Sequence, residues 1–598
     1  MNRLFALGAA VVLLAAGPLT AAPGGKDPTG TPDEALALIP PNAILVVQLN
    51  GIDRARDRLD KMLQSAVPDL AAMAAKGIND ALAEALNGRN LKGIKGDGRV
   101  LVAISEVEKL PDDATLTLLF PVKSADDFKK DFLTDDERKS LNKDGDLETV
   151  KLEDRDQPFF LVPVSGYVAI CTDKETAQKY AKGEIGGIAS HVSKETARAF
   201  LDADVALFVN VKEVNTKYGD QIKTFKGLAD LFLKQDGAPG VSKAQMEQIK
   251  GVIDAAFQVL EDGTAAVLAL EFRPDGANLK GLAQFGEKTG TNEALKKYKL
   301  TALPQLGTLP AGQSMYSAST LNLGEKAAAL VLGAFAAEDT DPSAKETIAG
   351  LVRDLGKYDR GATVSAGKLM ATGALEITES KDADKIVAGR LEILKALTKS
   401  GSFANVPLKD KPEVKEKAEK VGPFTLHAVK ATFDLDKAVA ELPEEAKEAT
   451  RATVKRALGG DEMNLWFGTD GKVVLQVNGK DWAEAKAIAE AYLDKNKAVE
   501  KDEAFRFTRK QLPAEATMIS VFDAAQTTHT VLGLLKDSAG AIPGFPAIPD
   551  LKAPTGKPTY VGVALVLKPG HGSFDLFIPA AAVGPVRKLL EPLIDKDQ

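Results

Sequence analysis

Cysteine is nearly absent: Cys171 is the only one in 598 residues. No intramolecular disulfide can form, so stability must come from packed cores. Cys171 closes the apolar run Tyr167–Ile170, a setting that reads as a small buried hydrophobe and not as a reactive thiol. Histidine is almost as scarce. His191, His427, His529 and His571 are mutually distant, and HxH, HExxH and CxxC spacings are missing, which argues against a zinc site. His427 lies in an alternating run and is expected to face solvent from a strand. His571 falls in the turn Lys568–Gly572, His529 on a helix with a satisfied polar contact, and His191 in a polar loop.

Signature motifs are missing too. GxxxxGK[ST] and GxSxG do not occur, and Gly93–Gly98 feeds a strand instead of opening a helix, so it reads as a hinge loop. Ser365–Lys368 matches SxxK, but so does Ser140–Lys143; SDN is absent and the one KTG, Lys288–Gly290, precedes Ser365 where it should follow. Asp144-Gly145-Asp146 lacks the oxygen spacing of a calcium loop and reads as a turn. No catalytic, cofactor or metal residue is nominated, and no cofactor is expected. A net charge of -8, from 76 basic and 84 acidic residues interspersed along the chain, offers no basic patch for nucleic acid. After the leader, no run is long and apolar enough to span a bilayer, so no transmembrane segment is expected in the mature chain.

What is present begins at Met1. Arg3 is a positive n-region, Leu4–Ala16 an apolar run too short to span, and Gly17-Pro18 with Thr20-Ala21-Ala22 a small-residue cleavage region. This order reads as a secretory signal peptide cut near Ala21–Ala22. The leader holds no cysteine for lipid attachment, so a soluble periplasmic or extracellular product is expected. Pro23–Pro32 reads as a flexible tether.

The length suggests roughly three to five domains. Strand, helices, hairpin and helix recur in that order from Ala43, Val205, Ser314, Phe424 and Thr517. The junctions PVKSADDF, EITESKDADK and QVNGKDWAEA look alike, and LIPPNAILVV, LPAGQSMYSA and LPAEATMISV each place a proline shortly before a strand. The expected class is α+β, with several antiparallel sheet-plus-helix modules of β-α-β-β-α order as internal repeats in two halves; one added strand would make each module ferredoxin-like. The expected plan is signal peptide 1–22, tether 23–34, an N-terminal half 35–300 (submodules about 38–186 and 187–300) and a C-terminal half 301–598 (about 301–400, 422–507 and 508–598). The charged run KDKPEVKEKAEK within Lys399–Val421 reads as a connecting segment.

One stretch is a candidate interaction loop: Ala539–Pro558 holds Ile542, Phe545, Ile548 and Leu551 among prolines and glycines. Folded back, it would cover a sheet face, which is the favoured reading. The opening at Ala35–Val46, after a plain signal peptide and before long α+β repeats, resembles that of large exported bacterial proteins of unknown function. That resemblance implies an envelope location and supplies no catalytic residues. The leading expectation is a non-enzymatic binding or scaffolding protein of the bacterial envelope or exterior, whose partner is an unidentified protein or envelope component. The alternatives are a hydrolase with a site assembled from distant residues and a carrier of an apolar ligand. The first requires no deep cleft of titratable groups. The second requires carboxylates or His529 converging in one, and the third a long cavity lined by Phe and Leu.

Overall fold

The computed structural model describes residues 32–594, apart from 70, 74–75, 78–79, 81–88, 107–114, 152–157, 235–242, 322–341, 359, 370–371, 398–400, 404–405, 441, 443 and 540–547. The expected signal peptide and most of the tether lie outside them; the tether's last residues open a short helix, Pro32–Ala37. The chain folds as α+β, and every strand pairing among the described residues is antiparallel. It divides into two compact units: Met1–Gly227, Ala256–Lys296 and Pro569–Val583 form one, and Leu228–Ala255, Lys297–Lys568 and Gly584–Gln598 the other.

In the first unit the strands pair in the order Asn142–Asp144, Leu147–Val150, Phe159–Val164, Tyr167–Cys171, Leu116–Pro121, Arg99–Ile104, Leu45–Asn50, Val205–Val209, Gly263–Arg273, Gly276–Phe285 and His571–Pro579. Its central strands are apolar at successive positions because both faces are covered. Val47 and Leu49 face a core with Leu59, Met62 and Leu63 of the helix Ile52–Ala66 and Phe128 and Phe132 of the helix Ala125–Phe132. Val46, Leu101 and Cys171 face the opposite core, with Tyr180 of the helix Lys174–Lys182 and Phe200 of the helix Lys194–Asp202. Ser124 caps the Ala125–Phe132 helix by accepting from Asp127 N–H.

The second unit carries the same connectivity. Its sheet runs Glu413–Val421, Phe424–Thr432, Glu462–Thr469, Val473–Asn478, Leu375–Glu379, Thr363–Gly367, Met315–Ser319, Met518–Asp523 and Tyr560–Lys568. In both units the first strand lies between the hairpin that follows it and a strand from late in the unit. The outer strand of that hairpin pairs with the last strand of a meander. The ferredoxin-like form of the repeat is not what these pairings show. A split β-α-β unit sets its two strands parallel, whereas here the strand after the helices returns antiparallel beside the first.

Two local expectations change. The charged run expected as a connection is a strand, Glu413–Val421, which among the described residues pairs with Phe424–Thr432 and is largely exposed. Alternating Lys and Glu suit a sheet edge, where charge discourages further pairing. His427 does not face solvent: it is buried beside the Phe467 ring, with its Nδ1 accepting from Lys417 N–H at 3.4 Å. Burial holds its imidazole below the usual histidine value.

Candidate functional site

The site grows from a cross-strand ladder in the first unit. The pairings align Ala269, Lys280 and Asp575 side by side, then Glu271, Asn278 and Phe577 two residues along, and Ala265, Gln284 and His571 at the other end. A strand's two-residue period puts these on one face of the sheet. Lys194–Asp202 packs over that face and is buried there through Thr196, Phe200 and Leu201.

Both ends of the helix are pinned. Ser193 caps it by accepting from Thr196 N–H at 3.1 Å, and its Oγ lies 2.9 Å from His571 Nε2. Gln284 Oε1 accepts from Ser193 N–H at 2.9 Å and from the Thr196 hydroxyl at 2.8 Å. At the other end the buried amide of Gln48 donates to the carbonyls of Phe200, Leu201 and Ala203 at 3.0–3.3 Å, and Asn50 donates to Leu201 O at 3.0 Å. These side chains satisfy carbonyls that a helix C-terminus leaves open. The helix is therefore held in place by polar contacts from three strands.

Between the fixed helix and the sheet is an open cleft of about 960 Å³. Alanines make the room: Ala197, Ala199, Ala203 and Ala269 stand where larger side chains would close it. In the second unit the topologically equivalent helix, Glu503–Gln511, lies so close to its sheet that a Cβ on Gly562 would meet Thr508 Cγ2 at 2.7 Å. The rings of Tyr316, Phe505 and Tyr560 pack there with centroids 5.5–6.2 Å apart.

Lys194, Arg198, Glu195 and Asp202 line the cleft from the helix, and Glu271, Asn278, Lys280 and Asp575 from the sheet. Glu271 is paired with Arg273 at 2.7 Å. Asp575 is different: its side chain is 7% exposed, and Lys280 Nζ is 3.9 Å from Oδ1. Oδ2 of Asp575 and Oδ1 of Asn278 are both buried without a hydrogen-bond partner. Burial pushes the Asp575 carboxyl above the usual carboxylate range; Lys280 and Asn278 pull it down, and Glu195 adds to the rise. A cleft beneath a helix pinned at both ends, lined by the Asp575 carboxylate and the Asn278 amide, can hold a ligand that donates hydrogen bonds.

The residues singled out from sequence fall elsewhere. Ile542 and Phe545 lie outside the described residues; Ile548 and Leu551 are half-buried, and Leu551 O is 3.1 Å from His529 Nε2. His571 is the first residue of a strand rather than part of a bare turn, and it meets a serine 378 positions away. No periodicity links Ser193, Glu271 and Asp575, so sequence reading missed the cleft. Its one local signal was the Ser193-Lys194-Glu195 start, an ordinary helix cap. Among the described residues, no group of three or more His, Cys, Asp or Glu is placed to hold a metal ion, and no helix is long and apolar enough to cross a membrane. No protein-family model, curated protein or solved structure matches this chain.

Proposed function

We propose that this chain is an exported, non-enzymatic binding protein of the bacterial envelope or exterior that holds a small polar ligand in the cleft under Lys194–Asp202. The leader Met1–Ala22 supports export. One observation carries the binding reading: a cleft pinned at both ends of its helix keeps the buried acceptors Asp575 Oδ2 and Asn278 Oδ1 without partners. Leaving such groups idle costs stability, and a site retains them when a ligand completes them. The starting expectation of a scaffold without a cleft of titratable groups gives way to a cleft-bearing binder. The apolar-carrier reading gains no support, since neither Phe nor Leu lines the cleft.

The test is native mass spectrometry of the protein purified from its own envelope fraction. A small molecule that accompanies the wild type and is lost from Asp575→Asn supports the reading. The same co-purifying mass on both proteins refutes it.

A second reading, a hydrolase, meets the requirement set for it, since Glu195, Glu271 and Asp575 converge in the cleft and burial holds Asp575 above the usual carboxylate range. Ser193 Oγ and His571 Nε2, 2.9 Å apart at the helix end that borders the cleft, are the beginnings of a nucleophile–base pair from distant residues. Against a hydrolase stands the present work of that hydroxyl, which caps the helix through Thr196 N–H and lies 2.8 Å from Thr196 Oγ1.

A further inference from the structure

The charges of the cleft are sorted by depth. Lys194 and Arg198 are exposed on the helix, one turn apart, at the rim. The idle acceptors lie on the sheet, at the floor. Asp575 has a cation at 3.9 Å, beyond hydrogen-bond range, so its charge is countered while its hydrogen-bonding capacity is not filled by that cation. A neutral hydroxyl would complete its hydrogen bonding only. An ammonium or guanidinium would also add a charge-assisted hydrogen bond that Lys280 at 3.9 Å does not make, in a setting of lowered dielectric where such a bond is strong. The lining has no aromatic ring on which a sugar or base could stack.

Resting on the binding reading above, we propose that the ligand is a compact zwitterion: its ammonium or guanidinium faces the Asp575 and Asn278 side chains, and its carboxylate faces Lys194 and Arg198. A free basic amino acid and the C-terminal basic residue of a short peptide share this chemistry, and a cleft of about 960 Å³ admits either. Alanines in the lining leave space for the aliphatic stem, while Lys280 keeps the empty site from carrying a wholly unpaired carboxylate.

Binding of this kind is linked to pH through Asp575. The groups facing it are Lys280 and Asn278 from the adjacent strand, Glu271 beyond them, and Lys194, Glu195, Arg198 and Asp202 from the helix; His571 starts its own strand. Protonation of Asp575 removes the counter-charge. Affinity for the zwitterion therefore falls as pH drops through its raised value, approaching about tenfold per pH unit below it.

Isothermal titration of the full chain at neutral pH uses four probes: L-arginine, the dipeptide Gly-Arg, agmatine and sucrose. The proposal expects L-arginine or Gly-Arg to bind, with the tighter of the two identifying the source. Agmatine, which lacks the carboxylate, should bind about tenfold more weakly or worse, and sucrose not at all. Asp575→Asn should weaken the binding by about tenfold or more with no fall in melting temperature. Equal affinity for agmatine and L-arginine overturns the rim assignment, and undiminished binding to Asp575→Asn overturns the floor. Sucrose binding in place of L-arginine discards the zwitterion and leaves the binding reading standing. Silence from all four probes also discards the zwitterion, and the co-purification assay then decides the binding reading separately.

Discussion

Two buried aspartates in the first unit should respond oppositely to the same substitution. Asp204 is fully buried and fully employed. Arg58 Nη1 reaches both of its oxygens at 2.9 and 3.0 Å, Arg54 Nε approaches at 3.2 Å, and Phe272 N–H donates to it at 2.8 Å. Asp204→Asn leaves Arg58, itself 7% exposed, without its counter-charge, which costs about 3–5 kcal/mol. Asp575 has Lys280 at 3.9 Å and the neutral Asn278 side chain beside it. Coulomb attraction of about 4 kcal/mol at an effective dielectric of 20 is set against a desolvation cost of several kcal/mol, so the two nearly cancel. Lys280, being partly exposed, is not stranded by the change. Asp575→Asn should therefore shift stability by less than about 1 kcal/mol, or raise it.

The lone thiol supplies an assay specific to this unit. Cys171 is fully buried in the first unit, and burial pushes its thiol up to about 12, so a thiol reagent reaches it only when the unit opens. At about 1.4 kcal/mol per factor of ten, Asp204→Asn should speed labelling by about two to three and a half orders of magnitude, and Asp575→Asn by less than about tenfold. The pH dependence has a definite sign. A carboxyl raised in the folded state holds more protons there than in the unfolded chain, so Asp575 lowers stability as pH rises from 3.8 to its raised value, and no further above it. The wild type should lose ground to Asp575→Asn across that window. An Asp575→Asn protein destabilised by more than about 2 kcal/mol would make Asp575 a structural ion-pair partner and refute the reasoning. So would an Asp204→Asn cost below about 1 kcal/mol.

Three further outcomes are expected. Native protein at neutral pH should show no modification of Cys171 by iodoacetamide over minutes, with stoichiometric reaction in denaturant; rapid native reaction would contradict its burial. Gly187 has φ +50°, and a Cβ there would lie 2.4 Å from Ala37 Cα, so Gly187→Ala should lower stability by about 2–4 kcal/mol by calorimetry; a neutral result would place that loop elsewhere. Ser193→Ala should cost about 1 kcal/mol through the lost cap, and a fluorophosphonate probe should fail to label the wild type; labelling lost in Ser193→Ala would establish the hydrolase reading instead.

The pattern of elements was legible where local chemistry decides it. Ser124, Asp173 and Asp481 cap helices that begin at the next residue, and the hairpin Gly263–Arg273 and Gly276–Phe285 follows from two β-rich runs around a short turn. Burial of Cys171 was legible from the apolar run it closes. His427 was misplaced because its alternation specifies two faces without saying that helices cover both. The run Lys399–Val421 was misread because an edge strand has little apolar signal to give.

The cleft could not be read along the chain. Its members come from one helix and three strands, and Asp575 meets Lys280 only through a pairing that spans 295 positions, as the register Lys280↔Asp575 requires. By itself the sequence determined the class, the helix caps and the absence of an intramolecular disulfide. These depend on composition and on neighbours a few residues apart. The tertiary structure alone decided which repeat keeps alanines under its helix and an unfinished carboxylate beside them, because side-chain environment depends on register and packing between distant segments.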